Sequence, residues 1–540
     1  MSSSALIEVL GRILFGFTRG VTEHYNPDEP EFTAESFGYN PLESTGREWY
    51  YQPVDELIYQ EYSVREATSL TYLASSSLDI KVIDACSPDE NEESPEHMAH
   101  HDHKDITMAW KRLRPSVLCT VRKSMYIGAL ISIVTAIFIG TIYMMVTYLS
   151  FKTVENCEFH LMNSTSTEIQ WMRITSNIVS CIFLYIWFFV LLHFLFRPFQ
   201  LMGVKGKLLV ICFLTYCFDT IYRVALQALG ISHSKLSNAQ DVPLKLCFLV
   251  NQCLQTYVLT NYFCKSSRQK VTLFFQMVVP SCLGVLTFFL VASLIYPVYN
   301  KEDADGKLLI AIFAPLAGVF VKVTSRICVQ KLYNITHPGY SYVFLSPLYC
   351  GAAIVFRILQ ADLGSLLDIA ILGIVHGAAE VIERSTMVFI DHIVHVMCKR
   401  RPAPWGSFRT PRRERLIADI AIMSMLFEST AIVSVNGYLY LYQFLYLRRE
   451  PFVSLLRLFA VHTAVSLAIE WVFTSISLAI ETRYQNMAVM AIWRRRWKRH
   501  ILVAVVNAVP MALWTSTNLM GILHGRFSES SSQPCKMPFT

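Results

Sequence analysis

Residues 365–399 read SLLDIAILGIVHGAAEVIERSTMVFIDHIVHVMCK, a long apolar stretch that carries many ionisable side chains. A 3.6-residue helical period brings most of these side chains onto about a third of the helix circumference. They are His376, Glu380, Glu383, Arg384, Asp391 and His395. A charged side chain at the centre of a bilayer costs roughly 2.5–3.5 kcal/mol on insertion scales. The pattern therefore predicts one helix whose charged face lies against protein or water, and this face is the leading candidate for a functional site.

The rest of the chain has the composition of a helical membrane protein. Hydrophobic residues make up 53% of the 540 residues, and charged residues make up only 16%. The apolar residues recur in runs of about twenty, the length of helix that crosses a bilayer. We predict an all-α, polytopic membrane protein with eleven transmembrane helices, at 124–149, 174–196, 208–230, 244–264, 271–297, 308–328, 341–361, 365–398, 416–435, 452–480 and 501–523.

Polar segments flank this predicted membrane domain, which covers residues 124–523. Residues 1–22 include a short amphipathic pattern typical of a helix that lies on a membrane surface. Residues 23–123 are predicted to form a mostly disordered cytosolic region, with an acidic and histidine-rich linker at 87–105. Residues 524–540 are predicted to be a short extracytosolic tail.

The distribution of positive charge predicts the orientation of the chain. One set of flanks between the apolar runs holds more than twice as many lysines and arginines as the other set. The positive-inside rule therefore places the N-terminus in the cytosol and the C-terminus outside, in the plasma membrane or an endomembrane. Of the two sequons, Asn163 lies in an outward loop and is expected to carry glycan, whereas Asn334 lies in an inward loop.

Two segments are harder to place in this topology. The predicted seventh span contains Pro347 near its start, which breaks the helical pattern early. Residues 436–450 contain several tyrosines and suit an interfacial or re-entrant piece; if they span, the number of helices changes by one. The basic segments 399–415 and 494–500 are interpreted either as charge that sets topology or as sites for acidic phospholipids.

Other predicted spans also contain ionisable residues. Asp219 and Arg223 are four residues apart, so they are predicted to pair on one helix. Arg357 lies deep in its span without a local acid and must find a partner on another helix. The candidates for that partner are Glu380, Glu428 and Glu470.

Carboxylates outnumber arginines in the late spans, which suits a path for protons or cations. We expect a transporter or channel whose polar pathway is lined by the helices at 365–398, 416–435 and 452–480. Its predicted residues are His376, Glu380, Glu383, Arg384, Glu428, Glu470 and Arg357. His376 and Glu380 lie one helical turn apart and are also weak candidates for metal ligands. The alternative is that these groups form interhelical pairs that only hold the helices together.

The sequence also allows a receptor-like or scaffolding function, or an enzymatic one. In a receptor-like or scaffolding protein, the N-terminal region would recruit cytosolic partners. The matches at 97–101 and 392–395 resemble the histidine boxes of membrane di-iron desaturases and hydroxylases, which would imply a lipid-modifying enzyme, but the third box is absent. No specific catalytic motif appears, so we expect no enzyme and no cofactor. The fourteen cysteines lack CxxC spacing, and the net charge of +6 lies mostly in short loops, so neither a zinc site nor nucleic acid binding is expected.

Overall fold

A computed structural model of the chain describes residues 117–152, 167–196, 198–230, 238–291, 295–302, 304–336, 339–361, 366–399, 411–447, 451–483, 485, 487 and 489–527. The predicted surface helix at 1–22, the cytosolic region with its linker up to residue 116, the sequon at Asn163 and residues 528–540 lie outside this described part.

Every regular element in the described ranges is a helix. The α-helices are α1 (Val117–Val134), α2 (Gly140–Lys152), α3 (Thr167–Leu195), α4 (Lys205–Ala228), α5 (Asn238–Phe263), α6 (Ser267–Leu290), α7 (Tyr296–Lys301), α8 (Ala304–Gln330), α9 (Ser346–Ala361), α10 (Leu366–Lys399), α11 (Pro411–Tyr442), α12 (Phe452–Arg483) and α13 (Val489–Phe527). A π-helical turn at Thr135–Ile139 joins α1 to α2, and a second one at Gln443–Leu447 extends α11.

Several of these helices are long and apolar enough to cross a membrane. Within the described residues, five stretches meet this requirement by length and composition: Val117–Ser150, Gln170–Leu195, Lys205–Ala228, Arg415–Leu447 and Phe452–Thr482. The sequence-based prediction of an all-α, multi-pass membrane protein is therefore confirmed at this coarser level. The residues that decided that prediction, 366–399, form one continuous helix, α10.

The structure corrects two details of the predicted topology. Residues 436–447 are not a separate interfacial or re-entrant piece, because α11 and its π-helical turn continue without a break from Pro411 to Leu447. The predicted seventh span starts later than expected. A 3-10 turn at Ser341–Phe344 precedes α9, which begins at Ser346. Pro347 therefore lies in the first turn of α9, where its missing N–H group costs no intrahelical hydrogen bond.

The chain divides into two compact units, which share five of the long helices. The first unit contains the described residues within Met1–Ile131, Val375–Met425 and Ile469–His500. The second unit contains those within Ser132–Ile374, Leu426–Ala468 and Ile501–Thr540. In the second unit, α4 packs against both α3 and α5, while α6, α8 and α9 pack against one another.

Helix α4 has its polar residues inside and its apolar residues outside. Its buried face includes Thr215, Asp219, Arg223 and Gln227, which follow one another at four-residue intervals. Apolar side chains such as that of Phe218 lie on the exposed face. This arrangement is the reverse of a helix on the surface of a soluble protein, and it is the one expected where the outer face meets lipid.

Hydrogen bonds satisfy much of this buried polar face. Arg223 forms an ion pair with Asp219 on the same helix, which confirms the predicted local pair. The Tyr185 hydroxyl on α3 donates to Asp219 Oδ2 at 2.9 Å. From α4, the Thr215 hydroxyl donates to Asn251 Oδ1 on α5 at 3.1 Å. The polar side chains therefore join α3, α4 and α5 from within.

The exposed apolar face of α4 predicts that a charged residue in the middle of the helix disfavours membrane insertion. Phe218 is 62% exposed in the middle of α4, so Phe218→Asp should place a carboxylate among lipid chains. We expect membrane insertion of α4 to become less favourable by roughly 2.5–3.5 kcal/mol in a glycosylation-reporter insertion assay. Leu229→Asp is the matched control, because Leu229 is 74% exposed just beyond the end of α4. Equal costs at both positions would contradict a lipid-facing middle of α4.

Candidate functional site

The charged face of α10 lies mostly inside the first unit. The side chains of Arg384 and Asp391 are buried, and those of His376, Glu380 and Glu383 are half-buried. Apolar side chains of the same helix, including Ile382, are exposed. At these residues, the charged stripe therefore lies at least partly against protein.

A glycine lets α10 approach α12 closely at the start of this stripe. A Cβ atom added at Gly377 would overlap the ring of Phe473, so a larger residue would push the two helices apart. Glu380 and Arg384 follow Gly377 by about one and two helical turns. The close approach thus brings these two side chains next to the buried polar face of α12.

Arg384 forms the tightest contact between the two helices. Its Nε donates to Glu481 Oε1 at 2.9 Å, and its Nη2 donates to Glu481 Oε2 at 2.8 Å. Both side chains are almost completely buried, at 3% and 1% exposed. A bidentate arginine–carboxylate pair of this kind combines charge attraction with a fixed geometry. A further bond from Gln485 Nε2 to the Ser385 carbonyl, at 2.6 Å, lies beside it.

One more carboxylate lies beside the same guanidinium group, and another lies further along α12. Glu380 Oε1 lies 3.7 Å from Arg384 Nη1, and the same oxygen accepts a hydrogen bond from the Ser424 hydroxyl of α11 at 3.1 Å. Glu470 is buried on α12, accepts a bond from the Thr474 hydroxyl at 3.2 Å and interacts electrostatically with Arg384. We call Glu380, Arg384, Glu470 and Glu481 the Arg384 cluster.

A second buried group in the first unit links α11 to α13. Arg415 Nε donates to Asp419 Oδ2 at 3.0 Å, and His500 Nε2 lies 2.9 Å from Asp419 Oδ1. The other ring nitrogen of His500 lies 3.0 Å from the Arg496 carbonyl oxygen. The Arg496 carbonyl oxygen and an ionised Asp419 carboxylate can only accept hydrogen bonds. Both contacts are therefore hydrogen bonds when each ring nitrogen of His500 carries a hydrogen. Arg415, Asp419 and His500 thus fix the start of α11 against α13.

The second unit contains the partner of Arg357. Arg357 Nη2 lies 3.2 Å from Glu428 Oε2, and Arg357 Nε lies 3.3 Å from the same oxygen. Of the three predicted candidates, the structure thus selects Glu428, on α11. In the same unit, the Tyr440 hydroxyl and His462 Nδ1 are 2.8 Å apart, which joins α11 to α12.

Sequence reasoning missed Glu481, the acid that holds Arg384 most tightly. The predicted tenth span stopped at residue 480, whereas α12 continues to Arg483. Helical periodicity could have found this acid. Glu470, Thr474 and Glu481 are separated by four and then seven residues, a spacing that puts all three on one helix face.

Among the side chains that the structure describes, no third ligand joins His376 and Glu380. In the described part of the chain, no three histidine, cysteine, aspartate or glutamate side chains come close enough to hold a metal ion. The side chains of His392 and His395 lie outside what the structure describes.

Comparisons with known protein families, with curated proteins and with solved structures found no match to this chain. The interpretation of the site therefore rests on its own chemistry.

The buried pair of Arg384 and Glu481 predicts a large effect on stability. Arg384→Ala leaves a buried carboxylate without its closest cation, which typically costs about 3–5 kcal/mol. We expect a clear fall in the Tm of the detergent-purified protein. Arg457→Ala provides the control, because Arg457 is exposed on the same helix as Glu481. If both variants keep the Tm of the unsubstituted protein, the pair does not hold α10 to α12.

Proposed function

We propose that this protein is a multi-pass transporter or channel in which the movement of the substrate is coupled to protons or cations. The polar pathway is lined by α10, α11 and α12, which cover the predicted segments 365–398, 416–435 and 452–480. The single observation that carries this proposal is the Arg384 cluster, where Glu380 and Glu481 lie beside one guanidinium group and the buried Glu470 interacts with it electrostatically.

The charge of the cluster explains why it suits coupling. With every group ionised, the four residues carry three negative charges and one positive charge. Glu481 and Glu470 are almost completely buried, and the free energy of an excess charge is high in a low-dielectric environment. Binding a proton or a cation lowers that free energy. The occupancy of the cluster should therefore respond to the concentration of such ions on an accessible side of the membrane.

The proposed topology retains eleven transmembrane helices, with the N-terminus in the cytosol and the C-terminus outside. Each of the eleven predicted segments falls mainly on a helix of the described structure, which supports this number. Helix α10 carries ionisable side chains such as those of Arg384 and Asp391 on its buried face and apolar side chains such as that of Ile382 on its exposed face. A transmembrane helix that lines a polar pathway is expected to show this mixture of exposed apolar and buried ionisable residues.

The competing interpretation is a receptor-like or scaffolding protein in which the same cluster only holds helices together. The bidentate contact between Arg384 and Glu481 suits both interpretations, since a structural pair needs the same geometry. The additional carboxylate of Glu380, 3.7 Å from Arg384 Nη1, favours the transport interpretation. A purely structural pair does not need a second carboxylate beside its guanidinium group.

The proposal is tested by ion flux in liposomes that contain the purified protein. A pH-sensitive dye inside the liposomes reports proton movement after a pH gradient is imposed, and parallel experiments impose sodium or potassium gradients. We expect flux with the unsubstituted protein. The double variant Glu380→Gln/Glu470→Gln should reduce it to the level of protein-free liposomes, because the surplus carboxylates are then uncharged.

Glu168→Gln serves as the matched control, because Glu168 is an exposed carboxylate on α3. Size-exclusion chromatography and the Tm establish that each variant is folded. If the folded double variant keeps the pH- or cation-dependent flux of the unsubstituted protein, the transport proposal is wrong and the structural interpretation of the cluster stands.

A further inference from the structure

The carboxylate of Glu380 lies between a charged partner and a neutral one. Its Oε1 atom accepts a hydrogen bond from the Ser424 hydroxyl at 3.1 Å and lies 3.7 Å from Arg384 Nη1. The distance to Nη1 is longer than a hydrogen bond, so the ion pair between Glu380 and Arg384 is loose. A carboxylate in this position can gain a proton without breaking a close contact to a cation.

The other carboxylate in contact with Arg384 is bound in a different way. Both oxygens of Glu481 accept hydrogen bonds from Arg384, at 2.9 and 2.8 Å. A proton on Glu481 would remove one of these two acceptors and weaken a buried bidentate pair. The side chain of Glu481 is also only 1% exposed, whereas that of Glu380 is 15% exposed. Proton exchange is thus easier at Glu380 on both grounds.

Arg384 keeps one donor group available for an ionised Glu380. Its Nε and Nη2 atoms are bonded to Glu481, whereas Nη1 has no hydrogen-bond partner among the described residues. Nη1 is the atom that faces Glu380 Oε1. When Glu380 is ionised, closing this gap forms a charge-assisted hydrogen bond. When Glu380 is protonated, its attraction to Nη1 is lost and the Ser424 hydroxyl can accept a bond from the new carboxyl proton.

We propose that Glu380 is the proton-exchanging group of the Arg384 cluster, with Glu481 as the fixed counter-ion of Arg384 and Ser424 as the partner of the protonated form. This inference rests on the proposed function and names its coupling ion as the proton. Each exchange adds one proton to the Glu380 carboxylate or removes it, with no other bond made or broken apart from hydrogen bonds.

The surroundings of Glu380 favour a proton over a metal cation. On α10, the titratable neighbours within about one turn are His376, Glu383 and Arg384, and α12 contributes Glu470 and Glu481 to the same cluster. The guanidinium of Arg384 repels any metal cation that approaches Glu380 Oε1. Among the residues described, no three potential ligands converge on a metal position. A proton needs only one carboxylate oxygen.

Infrared difference spectroscopy tests this assignment without relying on flux. Spectra of the protein in lipid, recorded across a pH titration, report a protonated carboxyl group through its C=O stretching band. We expect a band that appears on acidification and is lost in Glu380→Gln. In Ser424→Ala the band should remain but shift in frequency, because the hydrogen-bond partner of the carboxyl group is missing. Glu168→Gln, at an exposed site, should leave the band unchanged.

The outcomes separate this inference from the proposed function. A band that persists in folded Glu380→Gln overturns the assignment of Glu380, while proton flux by the unsubstituted protein would still support transport. A band that disappears in Glu380→Gln supports the assignment. If the unsubstituted protein then shows no proton flux, Glu380 is a titrating group of a non-transporting protein, and the proposed function alone fails. Glu380→Asp keeps a carboxylate and should therefore retain a band. Loss of the band in Glu380→Asp would count against residue 380 as the source of the band.

Discussion

The bidentate ion pair between Arg384 and Glu481 is the contact on which the first unit depends. Two ionised side chains are stable at this depth only because each satisfies the other. The pair requires α10 and α12 to lie close together, and the absence of a side chain at Gly377 allows this beside Phe473. The same close approach brings Glu380 to the guanidinium group that Glu481 already occupies. Two carboxylates therefore lie beside one guanidinium group, which is the chemical basis of the proposed function.

The polar residues of the second unit are arranged differently. Asp219 with Arg223, and Arg357 with Glu428, each combine one acid with one base, so these contacts are balanced in charge. Neutral hydroxyl and amide groups complete the buried face between α3, α4 and α5. Such contacts hold helices together in a medium where no water can satisfy polar groups. The contrast with the two carboxylates beside Arg384 is what distinguishes a candidate site from assembly contacts.

Local features of the structure could be predicted from the sequence, but the pairing between distant helices could not. Periodicity alone predicted that residues 366–399 form one helix with a charged stripe and that Asp219 pairs with Arg223. The apolar pattern also located the five helices that are long and apolar enough to cross a membrane, although it did not predict that the tyrosine-rich segment continues α11. The cost of burying an unpaired charge predicted that Arg357 pairs with an acid on another helix. The sequence could not choose among Glu380, Glu428 and Glu470. Only tertiary packing selects Glu428 for Arg357, and Glu481 for Arg384.

We propose that the Arg384 cluster exchanges ions and does not merely join helices. The most direct test of this proposal is proton flux through liposomes that contain the double variant Arg384→Met/Glu481→Leu. Apolar residues of similar volume often replace a buried ion pair without loss of stability, so this variant separates packing from charge. We expect a folded protein whose pH-dependent flux is lost, because the guanidinium group beside Glu380 is gone. A folded double variant with the flux of the unsubstituted protein would contradict the proposal.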